Sequence, residues 1–304
     1  MRRSRLRQHL IYGEVDKRVG KQEMTPDEIY EEAVAATGVT DVTPLRPGGQ
    51  KLVFRGLLAG NPVVLKIVLL DPGPVAQNAL IRAHREVELL AAVDSPHLVS
   101  VLSDAIDIGD EPSAVVWLEE HLDGNDLALR NSMEWTDVNV FRLMHDLALG
   151  LAQCHGLAVV HRDLSPGNVR HTAEGRFVIM DPGFARHLDQ TALTGIHQPG
   201  TSGFRSPEHV PGGSPTAASD VFGLGILAFF CRTGQFPIDP DGDPAAYDFR
   251  LRSQQAPAVR ALKPDVDGEL AQAIDRCLQR QPARRFFDAN ELLTYLDQTA
   301  LGRA

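Results

Sequence analysis

Basic residues are in short supply: Lys and Arg total 30 against 40 Asp and Glu, for a formal net charge of −10. Nucleic acids and anionic membranes call for the opposite surplus, so neither is expected as a partner. The one basic stretch, Met1-Arg2-Arg3-Ser4-Arg5-Leu6-Arg7, reads as the start of a flexible solvated tail over 1–24. Cysteine is scarce as well. Cys154, Cys231 and Cys277 are widely spaced and form no C-x-x-C pair, which argues against metal or redox chemistry and for buried, reduced thiols. No apolar segment follows the basic start as a secretory signal would require. The longest apolar run, 221–230, is about half of the roughly 20 residues needed to cross a bilayer. The expectation is a cytoplasmic protein without repeats or low-complexity tracts.

What is present is enough to build a core: 43% of the 304 residues are hydrophobic. Thr25-Pro26-Asp27-Glu28 combines an N-cap hydroxyl, a proline at the first helical position and a capping-box Glu, which predicts a short helix ending at Gly38. From 40 to 70, short apolar runs punctuated by Gly60 and Asn61-Pro62 predict antiparallel strands. Helical spacing returns over 77–93 and is stopped by Pro96, and a further strand pair is expected around 98–102 and 114–118. Beyond Asp123-Gly124 the chain is mainly helical, over 136–155, 220–233, 267–279 and 289–296, with a loop at 236–246. Strands segregated before helices predict an α+β chain in two lobes. The expected divisions are a helix over 25–39, an N-lobe over 40–121 and a C-lobe over 122–300, with a cleft between the lobes.

Two short segments carry the chemistry. In His161-Arg162-Asp163-Leu164-Ser165-Pro166-Gly167-Asn168, Asp163 can orient a proton-bearing acceptor and Asn168 can offer an amide oxygen to Mg²⁺. The strand-like Phe177-Val178-Ile179-Met180 delivers Asp181-Pro182-Gly183, placing a hard carboxylate at a strand end before a flexible turn. Phosphoryl transfer asks for these groups together with a positive contact on the nucleotide. Each residue alone has a blander reading: Lys66 as an edge-strand lysine, Asp163 and Asp181 as loop or capping aspartates, and His161, His84, His97, His145 and His155 as packed structural histidines.

Together and in this order, the motifs resemble the eukaryotic-like protein kinases of the bacterial Ser/Thr branch, over about 42–296. The resemblance implies a bilobal kinase fold and transfer of the γ-phosphoryl group of Mg·ATP (or Mn·ATP) to protein Ser or Thr hydroxyls. It implies that Gly48, Gly49 and Val53 line the nucleotide and that Lys66, paired with Glu86 in preference to Glu88, holds the phosphates. It further makes Asp163 the catalytic base and makes Asn168 and Asp181 the metal ligands. By the same resemblance Thr201 stands near the acceptor and Glu208 belongs to the A-P-E motif. Asp220 braces the catalytic loop, Arg285 pairs with Glu208, and Arg162 gathers a phosphate placed on Thr191 or Thr194. Protein substrates follow as partners, with a regulatory protein or a homodimer left open.

The chain departs from the family pattern at several positions. Arg46 and Lys51 stand where two of the three loop glycines are expected, and Val64 replaces a small alanine. Ser165 replaces a catalytic-loop lysine, Pro182 replaces the D-F-G phenylalanine, and Glu119 is an odd residue for an adenine pocket. These departures keep two alternatives in view: a pseudokinase acting through a partner surface, and a kinase-like small-molecule phosphotransferase. Glu208, Asp220 and Arg285 weigh against the second.

Overall fold

The computed structural model describes residues 24–45, 51–71, 74–129, 134–181, 203–209 and 213–304. Helix α1 (Pro26–Thr37) begins where its capping box predicts. The Glu28 N–H donates to the Thr25 hydroxyl at 3.3 Å, and the Thr25 N–H donates back to the Glu28 carboxylate at 2.7 Å. Gly38 ends the helix at φ 68, a left-handed turn that glycine adopts without strain. The buried face of α1, Ile29 and Ala33, shares a core with Val39, just ahead of the sheet, and with Leu65, Ile108 and Val116 of the sheet.

That sheet is antiparallel and five-stranded: β1 (Thr40–Pro44), β2 (Lys51–Leu58), β3 (Asn61–Leu69), β4 (Ile106–Ile108) and β5 (Ala114–Glu120), in the order β1-β2-β3-β5-β4. Helix α2 (Pro74–Ala91) crosses its other face, where Ala83 and Val87 meet Val115 and Trp117. The strand expected at 98–102 is not formed. Leu98 and Val101 make only isolated bridges to Ile179 and Glu119, and β4 pairs with the earlier part of β5, 114–116. At the connector, Gly124 has φ 113, and a Cβ there would lie 2.1 Å from the His171 carbonyl oxygen. Only glycine lets the chain pass so close to the small second sheet, which comprises β6 (Asn125–Asp126), β7 (Val169–His171) and β8 (Phe177–Ile179).

The helical lobe is built on α3 (Asp137–Gly156) and α4 (Ala217–Thr233). Met144, Leu147 and Leu151 of α3 and Leu224, Leu227 and Phe229 of α4 are all at most 1% exposed and share one core. Helix α4 starts three residues before Asp220: Thr216 caps it, with its N–H donating to the Ser219 hydroxyl at 2.9 Å. Two helices were not expected from the sequence, α5 (Pro244–Ser253), which shortens the predicted 236–246 loop, and the one-turn α6 (Val259–Leu262). Helices α7 (Gly268–Cys277) and α8 (Ala289–Asp297) complete the lobe. The arrangement is a bilobal α+β fold. The three cysteines are unpaired, and burial pushes the Cys154 and Cys277 thiols up to about 12. No helix among the described residues is long and apolar enough to cross a membrane.

Candidate active site

The loop between α3 and β7 is hung from a single buried carboxylate. Asp220 accepts the His161 N–H at 2.7 Å and the Arg162 N–H at 2.8 Å. Arg162 sits at φ 71, so this strained turn is held in place by its hydrogen bond to α4. His155 Nε2 lies 3.0 Å from the same carboxylate, while its Nδ1 accepts the Ala289 N–H at 3.1 Å. The second bond places the His155 proton on Nε2, where it donates to Asp220 and links the start of α8 to the loop. Burial works against ionisation of Asp220, but these donors and the His155 and His161 rings hold its carboxyl below the usual range.

Within the loop, His161 is fully buried, and its Nδ1 accepts the Asp163 N–H at 3.2 Å. Asn168 donates from Nδ2 to the Asp163 carbonyl at 2.8 Å and to its carboxylate at 3.3 Å. The amide is thereby oriented, with Oδ1 left as its acceptor end. The Met180 N–H donates to the Asn168 carbonyl at 2.8 Å, which ties the end of β8 to the loop just before Asp181. Asp181 has φ 47, and its side chain is 41% exposed in the cleft. Desolvation there is outweighed by Lys66 and Lys51, which hold its carboxyl down at about 2. Ser165 is buried at 2% exposure, so the residue in the lysine position lies inside the loop.

The expected Lys66–Glu86 pair is not formed. Lys66 Nζ lies 2.7 Å from Glu119 and 2.5 Å from Asp181, and Glu86 instead pairs with Lys51. Glu88, the less favoured alternative, lines a groove on the outer face of α2 with His84 and Arg85. The register explains the exchange. Lys66 faces Trp117, and Val64 faces Glu119, so Glu119 is the diagonal neighbour of Lys66 on the same sheet face, within reach of a long side chain. Trp117 Nε1 donates to the other Glu119 oxygen at 2.8 Å. Burial favours the neutral amine, yet Glu119 and Asp181 prevail and keep Lys66 charged, with its pKa above the ordinary value.

Behind the loop, Arg285 pairs with Glu208, and Ser219 donates to the same carboxylate at 2.7 Å. Lys66 thus meets Asp181, the Met180 N–H next to Asp181 ties to Asn168, and Asn168 holds Asp163, with Glu86 joined through Lys51. Val53 lies on β2 opposite Lys66. Gly48, Gly49, Arg46, Pro182, Gly183, Thr191, Thr194 and Thr201 lie outside the described residues. Sequence reasoning gave no role to Lys51 as the partner of Glu86 or to His155 as a brace. Spacing puts Lys51 and Val53 on one face of a strand, and the β2–β3 register makes that the face of Lys66.

The model of the protein kinase domain family matches residues 48–295. Among curated proteins, a probable serine/threonine-protein kinase PknB of Lactococcus lactis is 26% identical over 81% of this chain and 39% of its own length. The serine/threonine-protein kinase PrkC of Bacillus subtilis is 26% identical over 81% of this chain and 38% of its length. The serine/threonine-protein kinase PknK of Mycobacterium tuberculosis is 29% identical over 90% and 24%, respectively. The chain thus spans well under half the length of these relatives. With the family model covering most of its residues, this chain belongs to the protein kinase domain family.

Proposed function

We propose that the protein transfers the γ-phosphoryl group of Mg·ATP to serine or threonine hydroxyls of protein substrates. The observation that carries this reading is the tie between the loop of Asp163 and Asn168 and the strand end at Asp181: the Asn168 carbonyl accepts the Met180 N–H, and two lysines of the sheet pair with Asp181. Mg²⁺ binds few protein oxygens and completes its shell with water and phosphate. The Asp181 carboxylate and the Asn168 Oδ1 fit that demand, and Mn²⁺ suits the same oxygens. The ion supplies charge neutralisation on the phosphates when bound.

Asp163 orients the acceptor hydroxyl and takes its proton, and Asn168 holds the Asp163 carboxylate in place. The lysines face the negative charge of the nucleotide, and the Asp220 brace keeps the loop in shape before substrate arrives. Val53 and the Gly48-Gly49 segment are assigned to nucleotide contact, and Arg162 to a phosphate on the segment carrying Thr191, Thr194 and Thr201. The kinase names of the relatives and the unpaired cysteines support a protein-directed enzyme in a reducing, cytoplasmic setting.

The test is incubation of the purified chain with γ-labelled ATP, Mg²⁺ and a generic basic protein, beside Asp163→Asn and Asp181→Asn. Transfer to Ser or Thr by the parent chain, abolished in both folded variants, is the expected result. Absence of transfer by the parent chain at any Mg²⁺ or Mn²⁺ concentration sinks the reading.

A further inference from the structure

Residues opposite one another in an antiparallel pair point to the same face, as do residues two apart on one strand. The pairings Lys51 with Val68, Val53 with Lys66, Lys66 with Trp117 and Val64 with Glu119 place Lys51, Lys66, Trp117 and Glu119 on a single face. Their charges form a diagonal row across β2, β3 and β5, and the row is paired in a shifted order. Glu119 is almost wholly buried, and its charge demands a cation; Lys66, itself 4% exposed, is that cation at 2.7 Å. Glu86 is equally buried, at 1%, and takes Lys51.

The two ammonium groups differ in what remains open to them. Lys66 is enclosed between two carboxylates, Glu119 and Asp181. Lys51 is 22% exposed, sits 5.4 Å from the centre of the Trp117 ring and lies 3.8 Å from Asp181. It is at once anchored, adjacent to the carboxylate assigned to the metal, and accessible from the cleft.

We propose that Lys51 is the lysine that meets the nucleotide phosphates, with Glu86 of α2 positioning it, and that Lys66 serves mainly as the counter-ion of Glu119. The assignment rests on the kinase reading above and names which cation that reaction uses. It gives a physical reason for a lysine at a position where a loop glycine is expected: the backbone gives up freedom there, and the cleft gains a charge. It also couples α2 to the nucleotide-covering strand β2 instead of β3.

The discriminating measurement is calorimetric titration of the full chain with ATP and with adenosine in Mg²⁺, since only ATP binding includes the phosphate contacts. Lys51→Met is expected to cut the preference for ATP over adenosine by about tenfold or more, the scale of a lost charge-assisted contact, while adenosine affinity holds. Lys51→Arg recovers much of it. The double variant Lys66→Met with Glu119→Leu removes both members of the buried pair and is expected to lose less of that preference than Lys51→Met. Thermal melts establish that each variant is folded, and Lys51→Gln substitutes for Lys51→Met should the latter not fold. A parent preference for ATP that survives Lys51→Met, or that falls further in the Lys66 and Glu119 variant, overturns the lysine assignment alone. A parent chain that neither prefers ATP nor transfers phosphate overturns the kinase reading and this assignment with it.

Discussion

Arg285 holds Glu208 with both ends of its guanidinium, Nη1 to Oε1 at 2.5 Å and Nη2 to Oε2 at 2.9 Å. The same guanidinium donates to the carbonyls of Ala218, Gln279 and Arg280 and stacks 4.6 Å from the Phe222 ring centre. With no part of the Arg285 side chain exposed, truncation leaves Glu208 without its cation, with only the Ser219 hydroxyl donating to it, and removes a donor from three carbonyls. Arg285→Ala is expected to cost about 3–5 kcal/mol in urea denaturation. Arg285→Lys recovers little, because an ammonium cannot reproduce the planar fork. A loss under about 1 kcal/mol for the alanine variant contradicts this view of the pair.

Asp220 offers two oxygens to three donors, and an amide in its place has only one acceptor. Asp220→Asn therefore leaves a backbone N–H of His161 or Arg162 unmet and relaxes the left-handed turn at Arg162. The expected signature is a fall in kcat of about tenfold or more with nucleotide affinity little changed, since Lys51, Lys66 and Asp181 are held by other elements. An equal loss in nucleotide affinity counts against a role confined to the loop.

His161 and His209 are held neutral by burial, which depresses both pKa values despite nearby carboxylates. The unfolded chain binds these protons near pH 6.5 and the folded chain does not, so stability is full above that pH and declines as pH falls below it. Each histidine contributes up to about 1.4 kcal/mol per pH unit over that window. Melting temperatures recorded between pH 8 and pH 5 should fall on the acid side. A flat profile there is the contrary outcome.

Two glycines of α3 separate close packing from backbone entropy. A Cβ on Gly150 would lie 2.6 Å from the His97 carbonyl oxygen, whereas one on Gly156 meets nothing within 4 Å. Gly150→Ala is expected to destabilise by about 1–3 kcal/mol through overpacking. Gly156→Ala should be neutral or stabilising by up to about 1 kcal/mol. Equal effects at the two sites argue against the close approach of α3 to residue 97.

Helices with strong local signals are legible in the residues alone. Thr25-Pro26-Asp27-Glu28 marks α1, and apolar periodicity marks α3, α4, α7 and α8 to within a few residues. Weakly patterned pieces are not. Helix α5 carries little amphipathic spacing and is set by the Asp243 cap, whose carboxylate accepts the Ala246 N–H at 2.7 Å, and by burial of Tyr247 and Leu251. Residues 98–102 have strand-like composition, yet their pairing is split: Leu98 bridges Ile179 of the second sheet and Val101 bridges Glu119 at the end of β5, beyond the stretch that pairs with β4, so no continuous strand forms.

In the active site, the sequence by itself determined which groups are available: Asp163, Asn168 and Asp181 in fixed order, two lysines on neighbouring strands, and the charges of Glu86 and Glu119. It also determined which residues share a face within one strand, since strand parity is a property of residue spacing. Which carboxylate each lysine takes was decided only by tertiary structure. Ion pairing between residues far apart in the chain depends on strand register, on the position of α2 over the sheet and on which charges are buried too deeply to stay unpaired. None of these is encoded in the distance between two letters of the sequence.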